Sequence, residues 1–136
     1  MAQLKENDME CPLLLTQRVI FGKWKPSILW FLGKTEAMRF GEIKKAFEDP
    51  TLTQKMLTQH LRELEEDGLV LRKAYNEMPL RVEYSLTGIG RRFIPILDSM
   101  EAWGMEYIEA ITKPSLHNSD YDTSSAELPH NSDPLS

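Results

Sequence analysis

Lys55, Thr58, Gln59 and Arg62 recur at i, i+3, i+4 and i+7, which places them on one face of a helix, with Gln54 beside them and Thr53 at the head of the stretch. Hydroxyls, amides and cationic groups in this arrangement can reach base edges or phosphates. Lys or Arg suits the two acceptors of guanine, and Gln suits the acceptor and donor of adenine. The other face, Leu57, Leu61 and Leu64, is an inward apolar stripe, and the acids Glu63, Glu65 and Glu66 are confined to the far end. A solvated helix face carries the same residue types. The elements on either side therefore decide between the two readings.

Before this helix three others are expected. Cys11-Pro12 opens the first, with proline at the first helical position, and it runs to about Phe21 before Gly22. The second runs from about Trp24 or Lys25 to Leu32, with Trp24, Ile28, Phe31 and Leu32 at core spacing and Gly33 as its stop signal. The third spans about Phe40 to Phe47 and is broken by Asp49-Pro50. The fourth spans about Thr53 to Glu66 and ends at Asp67-Gly68. After it the period changes from 3.6 to 2. Val70–Tyr75 and Leu80–Leu86 read as strands around the turn Asn76–Pro79, with Val82, Tyr84 and Leu86 alternating with Arg81, Glu83 and Ser85. Thr87 then caps a last helix through about Ile111, locally kinked at Pro95.

This order predicts a mainly α chain with a small β-hairpin (α+β), a winged helix-turn-helix with an added C-terminal dimerisation helix. The fourth helix is then the recognition helix, whose N-terminal part enters the major groove. Lys73, Tyr75, Asn76 and Arg81 fall near the tip of the wing, which reaches the flanking minor groove or backbone. Exposed Lys and Arg also protect an edge strand, and both roles can hold together. Lys23, Lys25, Arg39, Lys44 and Lys45 are further candidates for phosphate contact. On the last helix Leu97, Met100, Trp103, Tyr107 and Ile111 recur at three and four, a stripe able to serve a partner helix.

The net charge of −5 does not oppose this reading. Acids prevail in the first ten residues and in 114–136, whereas residues 18–62 hold nine bases against four acids. Residues 1–10 form an N-terminal extension, 11–111 the DNA-binding and dimerisation domain, and 112–136 an acidic tail rich in Ser, Asp, Asn and Pro that is expected to be disordered. No apolar run is long enough to span a membrane. The acidic start is the opposite of an export signal, and a single cysteine excludes an internal disulfide. A cytoplasmic protein is expected.

Several blocks together resemble a known family: Cys11-Pro12, Gly22-Lys23-Trp24, Arg39-Phe40 with Glu42-Ile43, Leu57 through Leu69, Arg81 through Thr87, Gly90, and Trp103-Gly104. The chain resembles the HxlR-type winged helix-turn-helix transcriptional regulators, relatives of the MarR type, over about 11–105. The resemblance implies a bacterial homodimer bound to a palindromic operator in double-stranded DNA. It also implies an oxidant or small-molecule effector, since redox-sensing members carry a cysteine before this same proline. Leu14 on the first helix joins the expected dimer face.

Cys11 is the redox candidate. A helix N-terminus favours a thiolate, while the neighbouring Asp8 and Glu10 oppose it, and a structural cysteine remains the alternative. His60 reads as a packed, hydrogen-bonded core histidine. No metal cluster or catalytic group is legible, Gly88-Ile89-Gly90 lacks the rest of a dinucleotide fingerprint, and no cofactor is expected. Two rivals to the leading reading are a winged helix that binds protein and a regulator whose ligand sits at the dimer interface.

Overall fold

The computed structural model describes residues 4–113, so most of the acidic tail expected at 112–136 lies outside the described residues. The described residues divide into two units, one up to Leu97 and one from Asp98 onward. A 3-10 turn, Glu6–Met9, precedes α1 (Pro12–Ile20), α2 (Lys25–Gly33), β1 (Met38–Arg39), α3 (Phe40–Phe47), α4 (Gln54–Glu66), β2 (Val70–Tyr75), β3 (Arg81–Leu86), α5 (Gly88–Arg91) and α6 (Ile94–Thr112). The chain is mainly α with a small antiparallel sheet, a winged helix.

The ends of α4 are set by its own sequence. The Thr53 hydroxyl accepts the Met56 N–H at 3.1 Å and caps the N-terminus. At the other end the Gly68 N–H reaches the Glu65 carbonyl and the Leu69 N–H the Leu64 carbonyl, at 3.0 and 2.9 Å. That double closure needs a left-handed residue, and Gly68 supplies it at φ 81°. Ahead of α4, Asp49 accepts both the N–H and the hydroxyl of Thr51, at 2.8 and 2.7 Å. The tight turn buries Leu52 completely and joins α3 to α4.

The core of the first unit gathers Ile20, Trp24, Ile28, Leu29 and Leu32 with Ile43, Leu52, Leu57, Leu61, Leu64, Val70, Leu86 and Leu97. The α4 leucines form the inward stripe as expected. Phe47 stands edge-on to both Trp24 and Phe31, with centroids 5.5 and 5.0 Å away, and so ties α3 to α2.

Five expectations are corrected. The sheet has three strands, in the order β1-β3-β2, because Met38 and Arg39 pair with Tyr84 and Glu83. Two residues are too few to show a period. As the central strand, β3 is half-buried on both faces up to buried Leu86, so the sharp alternation is lost. Gly33 lies within α2 rather than beyond it. A Cβ there would meet the Ile94 Cδ1 at 2.6 Å, so the glycine serves close approach, not termination.

The last helix is two helices. Thr87 caps only α5, accepting the Gly90 N–H at 3.0 Å and donating to the Gly68 carbonyl at 2.7 Å. In a continuous helix Pro95 would clash with the Arg91 carbonyl. As the second residue of α6 it avoids that clash and lacks only an N–H that has no partner in a first turn. Finally, Leu97 is 5% exposed within the core. It packs the first unit instead of facing a partner subunit.

Candidate nucleic-acid interface

The α4 stripe forms one surface. Gln54, Lys55, Thr58, Gln59 and Arg62 line a shallow open concavity, and all five are exposed. Gln54 also lines a second concavity with Phe40, Gly41, Lys44 and Lys45. The lysines at the end of α3 therefore border the amide and cationic groups at the start of α4. Lys23 and Lys44 both stand near Asp49, whose carboxyl is held below its usual range first by the Thr51 hydroxyl, then by the Thr51 N–H and these two cations.

Within the stripe the groups differ in what they have left to offer. Thr58 donates its hydroxyl to the Gln54 carbonyl at 2.8 Å, which leaves acceptor lone pairs and a methyl group outward. Gln59 donates from Nε2 to the Glu63 Oε2 at 2.8 Å. Among the described residues, neither Lys55 nor Arg62 has a carboxylate within 4.0 Å. Thr53 has its oxygen engaged as the cap.

Two of the predicted cationic contacts are engaged elsewhere. Lys25 is buried, 9% exposed, with Nζ 2.8 Å from the Glu63 Oε1. An ammonium held there is not available to a phosphate. Arg81 donates to Glu77 and to Glu83, each at 2.8 Å, and its guanidinium lies 3.6 Å from the centroid of the Tyr75 ring. Glu77 first, with Glu83, raises the Arg81 pKa, so the cation is firmly held while its charge is balanced inside the wing.

The wing's register explains that cluster. Tyr75 pairs with Arg81, Lys73 with Glu83, and Arg39 with Glu83 from the other side. Alternation along the strands puts these five side chains on one face. Tyr75 donates its hydroxyl to Glu83 at 3.2 Å, and the Lys73 Nζ lies 4.8 Å from the Tyr75 centroid. Lys73, Asn76 and Arg39 are exposed.

The sequence pattern groups Glu63 with the acids at the end of the helix. The structure makes it the hub between Lys25 and Gln59. The i, i+4 spacing of Gln59 and Glu63 was the one available signal; the link to Lys25 crosses two helices and leaves no pattern. His60 also departs from expectation. Its Nδ1 is buried without a hydrogen bond, 3.8 Å from the Glu63 Oε1.

At the N-terminus Cys11 is half-buried at the head of α1 and makes no side-chain capping bond. It shares a concavity with Lys5, Asp8, Glu10, Leu14 and Arg18, in which Arg18 is paired with buried Asp8. In the second unit, Trp103 and Tyr107 stack at 5.0 Å with planes 14° apart, and both are exposed together with Met100 and Ile111. Leu14 is likewise exposed. Among the described residues no helix is long and apolar enough to cross a membrane.

Residues 19–112 match the HxlR-like helix-turn-helix family. The HTH-type transcriptional regulator YdzF of Bacillus subtilis (strain 168) is 46% identical over 96 residues, 71% of this chain and 86% of that protein. The redox regulator HypR in its reduced form is 40% identical, covers 75% of this chain and 98% of its own, and superposes with a TM-score of 0.69. In its oxidised form it is 44% identical, covers 71% and 96%, and gives a TM-score of 0.65.

Proposed function

Because the chain belongs to the HxlR-like helix-turn-helix family, whose members are DNA-binding transcriptional regulators and not enzymes, we propose that it works as a cytoplasmic homodimer on a palindromic operator. One observation carries this reading: Gln54, Lys55, Thr58, Gln59 and Arg62 form a single exposed surface at the start and middle of α4. In this fold that part of the helix enters the major groove. Arg62 and Gln59 are the base-reading groups, with Gln54, Lys55 and Thr58 beside them, while Thr53 fixes the helix start. Lys44, Lys45, Lys23 and Arg39 contact phosphates. Lys73 and Asn76 of the wing, supported by Tyr75, reach the flanking backbone.

Dimerisation supplies the second recognition helix. Met100, Trp103, Tyr107 and Ile111 expose apolar surface on one helix, and Leu14 exposes more on α1. Burying such side chains against a second copy gains about 25 cal/mol per Å² of apolar surface.

Cys11 is the effector site in this reading. HypR is named a redox regulator and is solved in both redox forms. Here the single cysteine stands at the head of a helix of the dimer face. With no second cysteine in the chain, its oxidised states are a sulfenic acid, a mixed disulfide with a small thiol, or a disulfide to another subunit.

Selection from a random duplex library by the full chain, followed by footprinting, tests the dimeric reading. Two inverted half-sites about 10 base pairs apart, or a multiple of that, are expected. Enrichment of a single unrepeated site contradicts it.

A further inference from the structure

Gln59, Glu63 and Lys25 form a chain that runs from the exposed surface of α4 into the packing between α4 and α2. The Gln59 Nε2 lies 2.8 Å from the Glu63 Oε2, and the Glu63 Oε1 lies 2.8 Å from the Lys25 Nζ. Both carboxylate oxygens are thus engaged, one by the outward amide and one by the buried ammonium. The Lys25 side chain is only 11% exposed, so its end cannot swing into solvent without leaving its site. Lys25 first, and Gln59 second, hold the Glu63 carboxyl below the usual glutamate range, and it stays charged as an acceptor.

A carboxylate only accepts, so the atom of Gln59 that faces it must be the amide nitrogen. This fixes which way round the amide stands, a choice an unsupported glutamine leaves open. One amide hydrogen is engaged. The second N–H and the carbonyl oxygen remain, a donor and an acceptor on one group. In the major groove adenine alone presents N7 as acceptor together with N6–H as donor; guanine offers two acceptors, cytosine a donor, thymine an acceptor and a methyl group. Lys25 has a further effect. A bare carboxylate on a groove-facing helix would repel phosphates, and the ammonium at 2.8 Å balances it.

We propose that Glu63, anchored by Lys25, is a positioning residue that holds the Gln59 amide ready to read one adenine in each half-site. The proposal rests on the DNA-reading role given to α4 above.

The test uses the full chain and the duplex it selects from a random library. Affinities are measured for that duplex and for its complete set of single base-pair replacements, with wild type, Gln59→Ala, Glu63→Ala and the double variant Lys25→Met/Glu63→Met. Wild type should lose about 5- to 150-fold at one A·T pair per half-site, the range of a good bidentate contact. Gln59→Ala should abolish that penalty. Glu63→Ala and the double variant should shrink it at least fivefold while preferences at other pairs persist. The double variant removes both charges together, so it folds where Glu63→Ala leaves an unpaired buried ammonium. If Gln59→Ala flattens an A·T pair and both Glu63 variants keep the full penalty, Glu63 does not position the amide. If Gln59→Ala flattens none, Gln59 is not a reader. If wild type enriches no sequence, the DNA-reading role itself fails, and the inference with it.

Discussion

A Cβ placed on Gly90 would sit 2.3 Å from the Leu69 carbonyl oxygen and 3.3 Å from the Thr87 hydroxyl. The glycine lets α5 lie against the backbone that leads from α4 into the wing. The same carbonyl accepts the Thr87 N–H at 3.1 Å, so it is fixed and cannot retreat cheaply.

Gly90→Ala should therefore destabilise the chain by about 1–3 kcal/mol, the usual range for forced overpacking. On an ordered region of about a hundred residues this lowers Tm by roughly 4–8 °C per kcal/mol. Thermal unfolding measures it, and an unchanged Tm would show that the strand-to-helix junction yields freely.

Glu63 should make stability depend on pH. Its folded pKa is depressed, by Lys25 first and Gln59 second, so as pH falls the unfolded chain takes up the proton first. The stabilisation is complete above the unfolded value of about 4.3 and is lost as pH falls through the lower folded value. Urea unfolding from pH 7 to pH 3 should show this loss in wild type and a flatter curve in Glu63→Gln. At pH 7 Glu63→Ala should cost less than the ~3–5 kcal/mol of a fully buried broken pair, because the carboxylate is 36% exposed and partly screened.

Leu97 and Trp103 should separate folding from assembly. Leu97→Ala opens the core of the first unit and should cost about 2–5 kcal/mol. Trp103, 63% exposed, should leave the fold of that unit intact on truncation to Ala while raising the dimer dissociation constant at least tenfold. Sedimentation alongside thermal unfolding checks both. An unaltered dimer in Trp103→Ala removes that residue from the interface.

Oxidation should act through Cys11. Treatment with mild oxidant should change operator binding by wild type at least fivefold and leave Cys11→Ser unaffected. Identical responses of the two proteins would make Cys11 structural.

The long elements were legible because their residues repeat at fixed spacing. The leucines of α4, the Asp67-Gly68 stop and the paired strands of the wing all follow local rules that read along the chain. What escaped was decided across it. The strand of Met38 and Arg39 exists through pairing with Tyr84 and Glu83, Gly33 is small because Ile94 leans on it, and Leu97 belongs to a core rather than a stripe. The candidate interface shows the same division. The polar face of α4 was plain from spacing, whereas the engagement of Lys25 by Glu63 joins two helices far apart in sequence. The pairs of Arg81 with Glu77 and Glu83 are near in sequence, but they depend on how the wing's turn and strand bring those side chains together.

In the proposed function the α4 face from Gln54 to Arg62 reads DNA. The most direct measurement is the affinity of wild type and Arg62→Ala for the selected duplex and for a scrambled duplex across a salt titration. Wild type should give a straight line in log affinity against log salt, with a slope set by the phosphates neutralised. Arg62→Ala should lose about 1–3 kcal/mol of discrimination between the two duplexes. A variant that keeps full discrimination at matched salt would contradict the account, because α4 would then not lie in the groove as described.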